Sequence, residues 1–165
     1  MKITTIEPFR CKLGEGPLWD VREQALYGTD LLHRSIWRYD PATGAASGRR
    51  LFANTAALGG GPDGATVDAA GFLWSAICGG SKVVRYAPDG AVALVIDMPT
   101  PLISSVMFGG PDLDRLFVTS IDGAAAALDI EMAARNPVPH DEHSGAVFVI
   151  DGLGVTGLPE PRFAG

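Results

Sequence analysis

Residues 61–76 read G-P-D-G-A-T-V-D-A-A-G-F-L-W-S-A. A Gly/Pro lead-in precedes a short apolar strand, an Asp/Gly turn follows, and a second strand carries a large aromatic, which is the pattern of a β-hairpin. The plan occurs twice more, as G-E-G-P-L-W-D-V-R-E-Q-A-L-Y-G-T over residues 14–29 and as I-S-S-V-M-F-G-G-P-D-L-D-R-L-F-V-T over residues 103–119. Tyr27, Trp74 and Phe117 hold corresponding places, 47 and then 43 residues apart.

A third strand follows each hairpin: I-W-R-Y-D-P-A-T-G from Ile36, V-V-R-Y-A-P-D-G from Val83 and A-V-F-V-I-D-G from Ala146. Turns then lead into fourth strands at R-R-L-F-A, V-A-L-V-I-D-M and the terminal V-T-G-L-P. Four antiparallel strands recurring at this period are the signature of a β-propeller blade. The sequence therefore predicts an all-β fold, a partial propeller of three blades and about twelve strands, with residues 1–165 as one domain. One short helix is expected near 124–135, where Asp122 can cap, Leu128 and Met132 lie one turn apart and Asn136-Pro137 stops the run.

Composition agrees and narrows the function. With 21 Gly and 12 Pro in a 47% hydrophobic chain, turns between short apolar runs are frequent. A net charge of −6, with no basic cluster beyond Arg49-Arg50, argues against a nucleic-acid partner, which needs a cationic stripe. No stretch approaches the roughly 18 apolar residues of a membrane span, and the N-terminal residues carry no signal-peptide pattern, so no membrane partner and a cytoplasmic location are expected. Cys11 and Cys78 lack C-x-x-C spacing and read as buried small hydrophobes; Trp19, Trp37 and Trp74 read as core aromatics between blades.

The segment 11–27, C-K-L-G-E-G-P-L-W-D-V-R-E-Q-A-L-Y, resembles the first-blade motif of the SMP-30/gluconolactonase/regucalcin-like (LRE) family. The run from Gly59 through Ala76, with V-V-R-Y-A-P-D-G after it, resembles that family's fifth blade; S-V-M-F-G-G-P-D-L-D-R-L-F-V-T-S from Ser105 and the ending G-L-P-E-P-R-F-A-G resemble its sixth blade and C-terminus. The family's second, third and fourth blades have no counterpart, nor does the Asn-Gly segment that supplies its third metal ligand.

The resemblance implies a metal-dependent lactone hydrolase, with Glu15 and Asp63 as metal ligands and Asp63 also as the base. Two carboxylates completed by neutral oxygens and water suit one divalent cation, Ca²⁺, Mg²⁺, Mn²⁺ or Zn²⁺. Alone, each residue reads as a solvated turn carboxylate, since G-x-G-P and P-D-G are common in loops; their joint appearance at family-matched positions favours ligation. Ser104 has no His-Asp partner spacing and is expected at the channel mouth, as a candidate substrate contact. Gly59 to Gly61 lack the Lys and helix of a phosphate loop, and His33, His140 and His143 read as loop residues.

Closed propellers have about four to eight blades, so three leave two apolar faces open. A homodimer about a two-fold axis would close a six-bladed ring, and ring order would then pair Asp63 of one copy with Glu15 of the next, one blade away. The expected partners are a small lactone and this second copy. The rivals are a catalytically inactive family member and a ligand- or metal-binding scaffold.

Overall fold

The computed structural model describes residues 11–43, 50–123 and 141–160. Strands β1 (Gly14–Asp20), β2 (Ala25–Asp30), β3 (Ser35–Tyr39) and β4 (Arg50–Asn54) form sheet A in sequence order. Sheet B repeats this with β5 (Gly61–Val67), β6 (Leu73–Cys78), β7 (Lys82–Tyr86) and β8 (Val92–Asp97). Sheet C holds β9 (Ile103–Gly109), β10 (Arg115–Ser120) and β11 (Val147–Ile150). Every pairing within the sheets is antiparallel, as propeller blades require. The helix expected near 124–135 lies outside the described residues.

The sheets stack in chain order, with the first strands β1, β5 and β9 side by side. One cluster joins sheets A and B, where Tyr27 meets Phe52 edge-on at 5.2 Å and Phe52 meets Tyr86 at 6.1 Å. A second joins sheets B and C around Trp74 and Phe108, whose rings cross edge-on at 5.6 Å. Sheet B is thus covered on both faces, which explains why Leu73–Cys78 is buried at every position and reads as a continuous apolar run. Sheet C is covered on one face only, and the burial of Arg115–Ser120 alternates accordingly.

Two expectations are corrected. Among the described residues sheet C has three strands, because the terminal V-T-G-L-P does not add to β11. It runs as a strap across two hairpin turns instead: the Ala69 N–H donates to the Thr156 carbonyl (2.7 Å), and the Gly157 N–H donates to the Leu113 carbonyl (2.8 Å). Its backbone polar groups find partners on sheets B and C that no local pattern foretells. Among the tryptophans, Trp74 is fully buried, yet Trp19 is 44% exposed. Strand alternation turns Leu18 towards sheet B and Trp19 to the opposite, uncovered side of sheet A.

Candidate functional site

Each first strand carries an irregularity within one residue of the same height. In β1, Gly16 and Pro17 together oppose Gly28, since Glu15 pairs with Thr29 and Leu18 with Tyr27. In β5, Asp63 and Gly64 oppose Ala76, between the Pro62–Ile77 and Ala65–Ser75 pairs. In β9, Ser104 is the extra residue, because Ile103 and Ser105 pair with the adjacent Ser120 and Thr119. Such bulges re-aim side chains that regular pleating would send to one sheet face or the other.

The registers also align the three candidates. Leu18, Thr66 and Met107 pair with Tyr27, Trp74 and Phe117. Three residues earlier on each strand stand Glu15, Asp63 and Ser104. The strands converge here: a Cβ on Gly16 would lie 3.7 Å from the Gly64 Cα, and one on Gly64 would collide with the Ser105 side chain and stand 2.8 Å from its Cα. Gly16 also has φ +52°, a left-handed conformation natural to glycine. Two glycines therefore let the carboxylate-bearing strands approach one another and β9.

Within a single chain, Asp63 feels the charge of Glu15. Burial, and then the negative charge of Glu15, push the Asp63 carboxyl up to about 6, against the lowering effect of the Gly64 N–H. The ring-order expectation paired these residues across two copies. Sheets A and B are direct neighbours here, so the pair forms without a second copy. Cys78 also borders the site: burial and the Asp63 charge raise its thiol to about 12, which keeps it protonated and inert at neutral pH. It is buried as expected, whereas Cys11 is only half-buried. Ser104 is half-buried, with its Oγ 2.8 Å from Thr119 Oγ1.

The loop histidines stay peripheral. His33 Nδ1 lies 2.7 Å from Asp30 Oδ2, with half of its side chain exposed. Burial would raise the Asp30 carboxyl, but N–H groups of Lys12 and Leu13 and the His33 contacts hold it below the usual range. His143 donates its N–H to Asp141 Oδ1 at 2.8 Å, and His140 lies outside the described residues. Residue-by-residue reading missed Asp68, which is fully buried and accepts from Trp74 Nε1 at 3.0 Å and Arg85 Nε at 2.8 Å. A signal was available, since Asp20 and Asp68 occupy the same turn of successive units.

A pH prediction follows from the raised Asp63 value. The folded chain binds this proton more tightly than the unfolded chain, whose aspartates titrate near 3.8. The resulting destabilisation is full above about pH 6, shrinks as pH falls from there towards 4, and vanishes below. With EDTA present, the urea midpoint of the wild type should rise between pH 7 and 5 relative to that of Asp63→Asn. Parallel midpoints would show that Asp63 is not desolvated.

A partly buried Asp63 carboxylate that feels the charge of the exposed Glu15 fits a hard divalent cation, which would offset that repulsion. Among the described residues no three His, Cys, Asp or Glu side chains gather, so other donors would be neutral oxygens or water.

The chain is similar to proteins of related names. It is 40% identical over 141 residues to the pentonolactonase XacC of Haloferax volcanii, covering 84% of this chain and 47% of that one. It is 34% identical over 156 residues to the regucalcin of Xenopus laevis, covering 93% and 50%. Among solved structures, a calcium-binding protein, regucalcin, from Agrobacterium tumefaciens superposes with a TM-score of 0.70 at 29% identity, over 92% of this chain and 49% of the other. The chain thus spans about half the length of the relatives it matches. Its residues 39–122 match the SMP-30/Gluconolactonase/LRE-like region, and with three propeller-type sheets around the Glu15–Asp63 pair the chain belongs to that family.

Proposed function

We propose that this chain builds a divalent-metal-dependent lactone hydrolase, opening a sugar lactone or a similar cyclic ester. The observation that carries the reading is the effect of the Glu15 charge on the Asp63 carboxyl, with Glu15 beside the bulge of β1 and Asp63 within that of β5. Its relatives include a pentonolactonase and a 6-deoxy-6-sulfogluconolactonase, the latter from Pseudomonas putida and 38% identical over 141 residues.

Glu15 and Asp63 would hold the cation, which when bound would polarise the lactone carbonyl and acidify a water. Asp63 serves as the base. As a water oxygen bonds to the carbonyl carbon, Asp63 takes the proton; as the ring C–O bond breaks, the proton passes to the departing ring oxygen, leaving a hydroxy acid. The Ser104 and Thr119 hydroxyls, 2.8 Å apart on β9 and β10, are suited to hydrogen-bond hydroxyls of the substrate. A homodimer that closes the ring would shield the reaction from bulk water.

One observation favours an inactive or purely binding role: the lack, among the described residues, of a third acidic, His or Cys ligand. A panel of five- and six-membered aldonolactones, assayed by acid release with added Ca²⁺, Mg²⁺, Mn²⁺ or Zn²⁺, separates the readings. Turnover that EDTA abolishes and a divalent cation restores is the expected result. Cation binding in calorimetry without turnover of any lactone would overturn the hydrolase in favour of the binding role.

A further inference from the structure

Asp30, the last residue of β2, is fully buried, and its carboxylate reaches well beyond its own turn. Asp20, Asp40 and Asp89 accept from the N–H two residues ahead, the ordinary use of an aspartate at a turn. Asp30 reaches back 18 and 17 residues: its Oδ2 accepts from the Lys12 N–H at 3.0 Å and its Oδ1 from the Leu13 N–H at 3.2 Å. The His33 ring and backbone N–H close the other side of the carboxylate, at 2.7 and 3.3 Å.

The internal repeat separates this clamp from anything the blade itself requires. Three residues after Tyr27, Trp74 and Phe117 stand Asp30, Ile77 and Ser120. Ile77 is fully buried in the core between sheets A and B, so an apolar side chain fills this place in a blade of the same plan. A buried carboxylate carries a desolvation cost that an isoleucine does not. What offsets it in sheet A is the set of groups its oxygens meet, and two of these, the Lys12 and Leu13 N–H groups, lie in the lead-in to Glu15.

Glu15 needs such support. It is exposed, β1 has only β2 beside it in sheet A, and the ladder is interrupted directly after it at Gly16–Pro17. Its direction is therefore set from upstream and from across the ladder. Upstream, Gly14 pairs with Asp30, and the Leu31 N–H donates to the Leu13 carbonyl at 3.1 Å. Across the ladder, the Thr29 Oγ1 donates to the Glu15 carbonyl at 3.1 Å. The same corner leans on β5: a Cβ on Gly61, two residues before Asp63, would lie 2.5 Å from the Leu31 carbonyl oxygen.

We propose that Asp30 and Thr29 are positioning residues of the carboxylate site, holding the Glu15 segment so that its carboxylate is presented towards Asp63. Thr29 grips the Glu15 peptide itself, and Asp30 fixes the lead-in from Lys12 to Gly14. Both act through Glu15 rather than on a cation. The proposal rests on the reading of Glu15 and Asp63 as cation ligands and deepens it, since the groups that orient a ligand govern metal affinity alongside the ligand.

Calorimetry with Mn²⁺ tests it. Asp30→Asn replaces one acceptor oxygen with an amide that cannot receive an N–H, and Thr29→Val removes the hydroxyl at nearly constant volume without changing charge. Each should weaken Mn²⁺ binding by about ten-fold with unchanged far-UV circular dichroism. In a Glu15→Gln chain neither substitution should weaken binding further, because the ligand they position is gone. A general loosening of the fold, or the loss of a distant charge, would instead lower affinity in both backgrounds. Should Asp30→Asn fail to fold, Thr29→Val carries the test alone. Unchanged affinity in the variants, or an equal loss with and without Glu15, would overturn the positioning role and leave the cation reading intact. A wild type that binds no Mn²⁺ would overturn both.

Discussion

Asp68→Ala should lower the unfolding free energy by about 3–5 kcal/mol, the range for stripping one partner from a buried ion pair. Its carboxylate accepts from the N–H of Ala70 (2.9 Å) and Phe72 (3.0 Å), from Trp74 Nε1 (3.0 Å) and from Arg85 Nε (2.8 Å) and Nη2 (2.7 Å). Alanine would leave the Arg85 guanidinium, stacked 3.7 Å over the Phe72 ring, without its counter-charge, and would orphan a fully buried indole N–H. Asp20 is the internal control, because at the equivalent turn it accepts from the N–H groups of Arg22 and Glu23 and pairs with no arginine among the described residues. Asp20→Ala should cost about 1 kcal/mol. Urea unfolding of both variants checks the contrast, and an Asp68→Ala chain within 1 kcal/mol of wild type would sink it. Burial alone would raise the Asp68 carboxyl, yet its Trp74, Phe72 and Arg85 donors hold it below the ordinary value. Its stabilisation is therefore present above the ordinary carboxylate range and is lost as pH falls through the lowered value.

The largest effect on activity should come from Asp63→Asn. Asparagine keeps the shape of the side chain but can neither take up the proton of the attacking water nor contribute charge to a cation. A loss of about 10²–10⁴-fold in kcat is expected for removal of a general base. Glu15→Gln supplies the discriminating comparison, since in the proposed mechanism Glu15 only binds. At saturating cation Glu15→Gln should recover most of its turnover, whereas Asp63→Asn should not. Equal recovery of both would reduce Asp63 to a ligand, and recovery of neither would give Glu15 a part in the chemistry.

The architecture was legible because both of its signals are local. The spacing of Tyr27, Trp74 and Phe117 marked three hairpins, and Asp/Gly turns marked their ends. Burial of a particular face was harder to read. Trp19 is apolar in type, but the face it takes depends on strand parity and on the neighbouring Gly16–Pro17 bulge. The strap at Thr156 and Gly157 was illegible because its hydrogen bonds go to loops some 87 and 44 residues earlier, at Ala69 and Leu113. For the site, residue types and family likeness singled out Glu15 and Asp63. Their electrostatic contact depends on which sheets are neighbours, a property of the assembled stack rather than of either motif.

The three matched bulges have an evolutionary consequence. Each behaves as a socket held by ladder pairs on both sides: the occupants Asp63 and Ser104 project from within their bulges, whereas Glu15 is the last ladder residue before the Gly16–Pro17 bulge. Exchanging one occupant alters ligand charge or hydrogen-bonding character while leaving the flanking pairs intact. A repeated blade can thus diversify its chemistry one socket at a time, with selection on metal or substrate preference largely uncoupled from selection on folding.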